Sequence, residues 1–377
     1  MWNEDQRALR AAITELGDVL SKDHVAREGT GEFAFEAWDR IRDTGLLGLP
    51  FGTEWSGLGQ DLLTTMYVLE GLGYSCRDSG LNFSTSTHIV SVGVPLQRFG
   101  SRTLKKRHLP KICDGSAIGA HAITEPDGGS DIMSMRTSAE PDGEKFVLHG
   151  SKTFITNAPI ADLFVVYART GKRGSPAAIT AFLVERDTPG LSIGNPMSKM
   201  GLRTSPLSEL FLDNCRVPRS NVIGSVGAGF LILDHVMKWE ILCSFIINVG
   251  EMQHRLERCI DYARTRVQFG QTIGSYQSVS NKIVEMKIGV ETSQKWLYDT
   301  AEKLQRHENV TNDIAISKLV TSENNVSSAL TAVQIFGGYG YTTEYGLEKE
   351  LRNSVAGTIY SGTSDIQRQR IASMIGL

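Results

Sequence analysis

Apolar residues in the first hundred positions recur at helical spacing, in stripes separated by glycine-rich breaks. Leu9, Ile13, Leu16 and Leu20 mark one face; Leu62, Met66, Leu69 and Leu72 mark a second; Ile89, Val92, Leu96 and Phe99 mark a third. The breaks include Gly45-Leu-Leu-Gly-Leu-Pro50 and Gly57-Leu-Gly59. Near Gly119 the pattern changes to short runs of β-formers: Lys145-Phe-Val-Leu-His149, Leu163-Phe-Val-Val-Tyr167, Ile179-Thr-Ala-Phe-Leu-Val184 and Leu210-Phe-Leu212. Turn residues separate them, at Pro141-Asp-Gly143, at 171–176 and at Thr188-Pro-Gly190. After Gly224 the helical period returns over about 226–266, 276–306 and 312–336, with Ile316, Leu319, Val326, Leu330 and Val333 among its apolar positions. A last helix is expected from Ser364, with Ser364-Asp365 as its capping groups. Long helices with short connections predict a bundle. The pattern thus predicts an α+β multi-domain chain: a helical domain over 1–117, a β domain over 118–222 and a helical bundle over 223–377.

Composition narrows the function classes. The chain has 377 residues, 41% hydrophobic and 21% charged, which suits a globular protein of two or three domains or one large multi-layer unit. A net charge of −3 gives no electrostatic reason to expect nucleic acid or an anionic membrane as partner. The 5 cysteines, at 76, 113, 215, 243 and 259, form no C-x-x-C pair. They read as small apolar core residues in a reducing compartment, with no metal site expected. The N-terminus alternates charge from its third residue, so no signal peptide is expected. No apolar run approaches the roughly 20 residues of a membrane span. A soluble, cytoplasmic protein is the expectation.

One carboxylate stands out against this background. In the run 230–250, Phe230, Leu233, Met237, Ile241 and Phe245 recur at helical spacing, Glu240 lies beside that stripe, and no charge follows until after Gly250. Burial there is expected to raise the carboxyl pKa toward neutrality, making a proton acceptor. The competing reading is an ion pair with a basic residue of a neighbouring helix.

Five other stretches carry chemistry. His121-Ala-Ile-Thr-Glu-Pro-Asp-Gly-Gly-Ser-Asp131 combines glycines that permit close approach with hydroxyl donors at Thr124 and Ser130. Gly150-Ser-Lys-Thr-Phe-Ile-Thr-Asn157 sets an aromatic between hydroxyls at strand spacing. Arg264-Thr-Arg-Val-Gln-Phe-Gly270 reads as a helix ending on glycine, and Gln334-Ile-Phe-Gly-Gly-Tyr-Gly-Tyr341 as a glycine cluster at another helix end. Ile359-Tyr-Ser-Gly-Thr-Ser-Asp-Ile-Gln-Arg368 is a loop before a helix N-terminus, a place that favours anions or developing oxyanions.

In this order, and over essentially the whole length, these stretches resemble the acyl-CoA dehydrogenase flavoenzyme superfamily, through its T-E-P-x-x-G-S-D, I-T-N, R-x-x-F-G, Q-x-x-G-G-x-G and Y-x-G-T-S-x-I-Q-R motifs. The resemblance implies a helical domain, a β-barrel-like domain and a C-terminal four-helix bundle. FAD would lie between the last two, in a homotetramer or homodimer whose neighbouring subunit completes the flavin site. It assigns His121, Ile123, Thr124, Gly129 and Ser130 to the isoalloxazine side, with Phe154 packing beside the flavin and Thr156 hydrogen-bonding it. It assigns Arg266, Gln268, Phe269, Gln277, Gln334, Gly337 and Gly338 to the diphosphate and adenosine across a subunit interface, and Thr363 and Asp365 to contacts from the last loop. A guanidinium such as that of Arg266 suits a phosphate because it pairs bidentately.

The departures from the family carry more information than the matches. Most members place the catalytic glutamate in the last motif, as Y-E-G-T, where this chain has Tyr360-Ser361-Gly362-Thr363. A serine hydroxyl is no base for an α-proton without further activation. A minority, isovaleryl-CoA dehydrogenase-like enzymes among them, carries the base on the first long helix of the bundle. Counting back from Arg266, that position is Glu240.

Trp239-Glu240 followed by Ile241, together with the Ser-Gly-Thr loop, resembles the branch that oxidises L-prolyl groups on a phosphopantetheinylated carrier protein, giving pyrroline- or pyrrole-2-carboxyl units for natural products such as antibiotics. The implied chemistry is α-proton removal by Glu240, with the Ser361 backbone N–H on the thioester oxygen and electrons passing through FAD to dioxygen or an electron-transfer flavoprotein. Three readings compete with it: a short branched-chain acyl-CoA dehydrogenase, a flavin-dependent monooxygenase or nitroalkane-type oxidase, and a flavin-binding protein without turnover.

Overall fold

The stretch Leu62–Ser75 carries one charge, Glu70, in 14 residues, and a helix apolar on all sides has to be surrounded. The computed structural model, which describes residues 2–377, surrounds it. It is α5 of an N-terminal helical region made of α1 (Glu4–Thr14), α2 (Gly17–Ser21), α3 (His24–Thr30), α4 (Phe35–Asp43), α5 (Leu62–Ser75), α6 (Ser79–His88), α7 (Val94–Phe99) and α8 (Arg102–Cys113). All five thiols are free and buried.

The middle region is one eight-stranded sheet: β1 (Gly119–Ala122), β2 (Ser138–Asp142), β3 (Lys145–Thr156), β4 (Leu163–Arg169), β5 (Ile179–Glu185), β6 (Leu191–Ile193), β7 (Leu207–Pro218) and β8 (Val222–Ile223). The order is β6-β7-β3-β2-β4-β5-β8, with β1 added parallel to β4 so that His121 stands opposite Val165. Almost every residue of β4 and β5 is buried, which explains their continuous apolar runs. The amide of Asn157 donates to the carbonyls of Ser84 (3.1 Å) and Gly119 (3.3 Å), pinning the end of β3 and the start of β1 to α6.

The C-terminal region comprises α9 (Gly229–Thr265), a hairpin of β9 (Val267–Gln268) and β10 (Gln271–Thr272), then α10 (Gln277–Gln305), α11 (Thr311–Phe336), α12 (Gly338–Tyr341), α13 (Leu347–Ala356) and α14 (Ser364–Met374). At 37 residues, α9 is about 55 Å long and is the spine of the molecule. Two glycines let α5 lie against it. A Cβ on Gly73 would stand 2.1 Å from the Ile247 carbonyl oxygen, and one on Gly250 2.1 Å from that of Glu70. Glu70 itself is buried and satisfied, accepting from Gln253 (2.9 Å), Gln294 (2.8 Å) and Tyr298 (2.6 Å).

Local details differ from the sequence reading. The helix before Gly270 stops at Thr265, and Phe269 and Gly270, both at positive φ (50° and 81°), make the turn of the β9–β10 hairpin. The N-cap of α14 is Thr363, whose hydroxyl accepts from the Ile366 amide, and Ser364 Oγ has no partner among the described residues. Phe230 is 37% exposed rather than part of the buried stripe: the first turn of α9 packs through Gly229, Ile232 and Leu233, and Phe230 falls with Leu231 on its exposed side.

A partly buried charge cluster ties α13 to α9. Glu350 accepts from Arg255 Nε (2.7 Å) and Arg258 Nη1 (3.1 Å). Burial alone would raise its carboxyl pKa, but the two guanidiniums hold it down at about 2. A carboxyl lower in the folded than in the unfolded chain contributes stability above its unfolded value of 4.5, and loses it as pH falls toward 2. Glu350→Gln is therefore expected to cost about 3 kcal/mol in urea unfolding near neutral pH, with the difference from wild type closing near pH 2.

Candidate active site

A cavity of about 600 Å³ opens where the three regions meet. From α6 it is lined by Phe83 and Thr87, from β1 and the loop after it by His121, Ile123, Thr124 and Gly128–Ser130, and from β3 by Phe154–Thr156. Met237 and Glu240 of α9, residues 359–363, and Ile366 and Arg370 of α14 complete it. Its size is that of a site for a cofactor-sized ligand.

The loop after β1 is held by a buried ion pair. Lys152 of β3, with no exposed surface, donates to Glu125 Oε1 (2.9 Å) and to the Ile123 carbonyl (3.0 Å). Glu125 also accepts from the amides of Arg136 (2.7 Å) and Thr137 (2.8 Å). Burial works to raise the Glu125 carboxyl, and Lys152 outweighs it and holds the group below its usual range; the ammonium is itself pulled down to about 8 by burial. Lys152→Met leaves a buried carboxylate without its cation. It should cost about 3–5 kcal/mol and lower flavin retention, read as the visible-to-ultraviolet absorbance ratio of purified protein.

The glycines of this loop are not demanded by packing. A Cβ on Gly128 or Gly129 would meet nothing closer than 3.7 Å and 3.6 Å respectively, so what they keep clear is the cavity. Phe154 stands at φ 58° beside a register shift in the β3–β7 ladder and is 62% exposed, its ring on the cavity rather than in the core. A hydroxyl-rimmed cavity with an aromatic wall fits an isoalloxazine ring.

Glu240, 8% exposed, faces this cavity. Ser361 Oγ donates to its Oε1 (2.5 Å), and His121 Nε2 lies 3.1 Å from its Oε2. The expectation that burial raises the Glu240 pKa is overturned. Burial does push it up, but His121 and the Ser361 hydroxyl together hold it below the ordinary carboxylate range. The competing ion pair with a base of a neighbouring helix is also absent among the described residues; the partner is a histidine on a strand. Ser361 stands at φ 55°, its amide hydrogen-bonded to no acceptor among the described residues, while Gln367 Nε2 donates to the carbonyls of Ser361 (3.1 Å) and Gly362 (3.2 Å) and fixes the turn.

The structure thus gathers His121, Ile123, Thr124, Gly129, Ser130, Phe154, Thr156, Glu240, Ser361 and Thr363 around one cavity. It does not bring Arg266, Gln268, Phe269, Gln277, Gln334, Gly337, Gly338 or Asp365 to that lining. The Arg266 guanidinium lies 5.7 Å from the Tyr339 ring, so the hairpin and the glycine cluster form a separate, exposed surface on which Phe269 is 95% and Tyr341 82% accessible. Sequence reasoning missed Phe83, Met237, Arg370 and the pairing of His121 with Glu240. A histidine opening the T-E-P motif was the one available signal for that pairing.

Domain profiles described as acyl-CoA dehydrogenase N-terminal, middle and C-terminal match residues 3–116, 120–215 and 227–376. The chain belongs to the acyl-CoA dehydrogenase family. Among its acyl-CoA dehydrogenase relatives, an L-prolyl-[peptidyl-carrier protein] dehydrogenase of a Serratia species is 40% identical over 360 residues, covering 96% of this chain and 93% of the relative. A protein of the same name from Pseudomonas fluorescens is 38% identical, covering 92% of this chain and 91% of its own. In structure, the prolyl acyl carrier protein oxidase AnaB superposes at a TM-score of 0.97 with 41% identity, covering 100% of both chains. PigA, solved with FAD and proline, superposes at 0.97 with 38% identity, covering 100% of this chain and 99% of its own.

Proposed function

We propose that this protein is an FAD-dependent dehydrogenase or oxidase of an aminoacyl thioester, L-prolyl in the first instance, carried on the phosphopantetheine arm of a carrier protein. The observation that carries the reading is the pairing of positions 240 and 361: a buried carboxylate faces the cavity from α9, hydrogen-bonded to a serine that stands where most of the family has its glutamate. The relatives named for prolyl carrier protein support the substrate class.

In this reading Thr124, Ser130, Thr156 and Thr363 hold the flavin ring, and Phe154 packs against its side. Arg266, Gln268, Phe269, Gln277, Gln334, Gly337, Gly338 and Asp365 serve the flavin of a neighbouring subunit, which accounts for their exposure in a single chain. FAD, when bound, would supply the acceptor that takes the second hydrogen with its electron pair, as hydride, for each double bond formed. Glu240 removes the α-proton, made acidic by the thioester, and the Ser361 amide stabilises the developing enolate oxygen. The cavity walls align the pyrrolidine ring and exclude water. The product is a pyrroline- or, after a second oxidation, a pyrrole-2-carboxyl carrier protein. Reoxidation is by dioxygen or an electron-transfer flavoprotein, and the buried free thiols suit the cytoplasm.

Incubation with L-prolyl carrier protein, followed by intact-mass analysis, is expected to show loss of one or two pairs of hydrogen atoms from the thioester. Turnover of isovaleryl-CoA with the prolyl carrier protein untouched would overturn the reading in favour of a branched-chain acyl-CoA dehydrogenase.

A further inference from the structure

A carboxylate and an imidazole nitrogen 3.1 Å apart, in a site with 10% and 14% of the two side chains exposed, cannot both present lone pairs. A proton has to lie between them. The contact is close without the alignment of an ideal hydrogen bond, and neither Glu240 Oε2 nor His121 Nδ1 has a competing hydrogen-bond partner among the described residues. His121 is held in place by its backbone, which is laddered to β4, and β1 is anchored at its start where the Gly119 amide donates to His88 Nδ1 (3.1 Å). The histidine therefore presents Nε2 to Glu240 from a fixed strand, while Ser361 binds the other oxygen from the last turn.

We propose that His121 is a positioning residue for Glu240, holding its Nε2–H edge beside Oε2 so that the buried carboxylate stays an anion aimed into the cavity. The inference rests on the reading of Glu240 as the base. Without the imidazole, burial would dominate, and a protonated carboxyl cannot accept an α-proton. The other groups around Glu240 do not replace it. Tyr167 of β4 is a buried phenol and Tyr360 a partly buried one; both are pushed up first by burial, then Tyr167 by the charge of Glu240 and Tyr360 by those of Glu251 and Glu240. Glu125 is committed to Lys152, Asp127 to Arg136, and Arg370 lines the cavity without an ion pair to Glu240.

The test compares pH profiles of substrate-driven flavin reduction for wild type, His121→Phe, His121→Gln and Glu240→Gln. In His121→Phe the acid limb should move alkaline by about one to two units, making reduction about 10- to 100-fold slower below it and near normal above it. His121→Gln, whose amide can donate in the same place, should restore most of the wild-type profile. A second readout needs no flavin. Infrared difference spectra of the apoprotein at neutral pH should show a protonated carboxyl in His121→Phe that vanishes in His121→Phe/Glu240→Gln. An acid limb that stays put while the rate drops equally at every pH would overturn the inference, as would a glutamine variant that shifts like phenylalanine. Survival of reduction in Glu240→Gln would instead sink the base itself.

Discussion

Glu240→Gln should leave a yellow, folded protein that is reduced by its substrate on the order of 10²–10⁴-fold more slowly than wild type. The substitution keeps the shape of the side chain, an oxygen for the Ser361 hydroxyl and the packing of α9, but removes the negative charge and basic electron pair and turns an NH2 toward His121. The other acidic groups on the cavity wall, Glu125 and Asp127, are each bound to a cation, and the Ser361 hydroxyl is no substitute. Residual activity would come from the aligned substrate and the Ser361 amide alone. Stopped-flow absorbance under anaerobic conditions measures it, and the flavin spectrum of the resting variant shows that the site is intact. Reduction within a few-fold of wild type would remove Glu240 from the chemistry. Ser361→Ala should fall between the two, because its hydroxyl, and not its backbone alone, touches the carboxylate.

Gly250→Val should fail to give soluble protein, or lose at least about 3 kcal/mol in urea unfolding. A Cβ there would stand 2.1 Å from the Glu70 carbonyl oxygen and 2.5 Å from the Tyr74 amide nitrogen, both backbone atoms in the C-terminal half of α5. Neither helix can move away alone, since Gly73 makes the reciprocal contact with Ile247 three residues before Gly250. Separating them would also break the Gln253–Glu70 hydrogen bond and shift α9, on which Glu240 rides. The control is Gly29→Ala in α3, where an added Cβ meets nothing within 4 Å. That variant should be neutral or gain up to about 1 kcal/mol from helix propensity.

How much of this was legible beforehand follows the range of the forces involved. The long bundle helices were readable because one side of each is buried over many turns, so the period persists; α11 was expected over about 312–336 and runs Thr311–Phe336. The sheet was readable from β4 and β5, whose apolar runs admit only a buried strand. Ends were less so: the Thr363 cap and the Phe269–Gly270 turn depend on single hydrogen bonds and backbone angles that leave no periodic trace. At the site, the exchange of Ser361 for a glutamate and the presence of Glu240 could be read together as one event. The sign of the Glu240 pKa shift could not. Burial is written in the apolar neighbours along α9, but the imidazole that counters it arrives from β1, 119 positions away in the chain, by parallel pairing with β4. Sequence spacing carries desolvation and omits the charge that folding brings beside it.

The most direct measurement is anaerobic mixing of the oxidised protein with L-prolyl carrier protein on one side and isovaleryl-CoA on the other, following loss of the visible flavin absorbance. The account predicts rapid bleaching by the carrier-bound prolyl group and none by the CoA thioester. Bleaching by isovaleryl-CoA alone would contradict it.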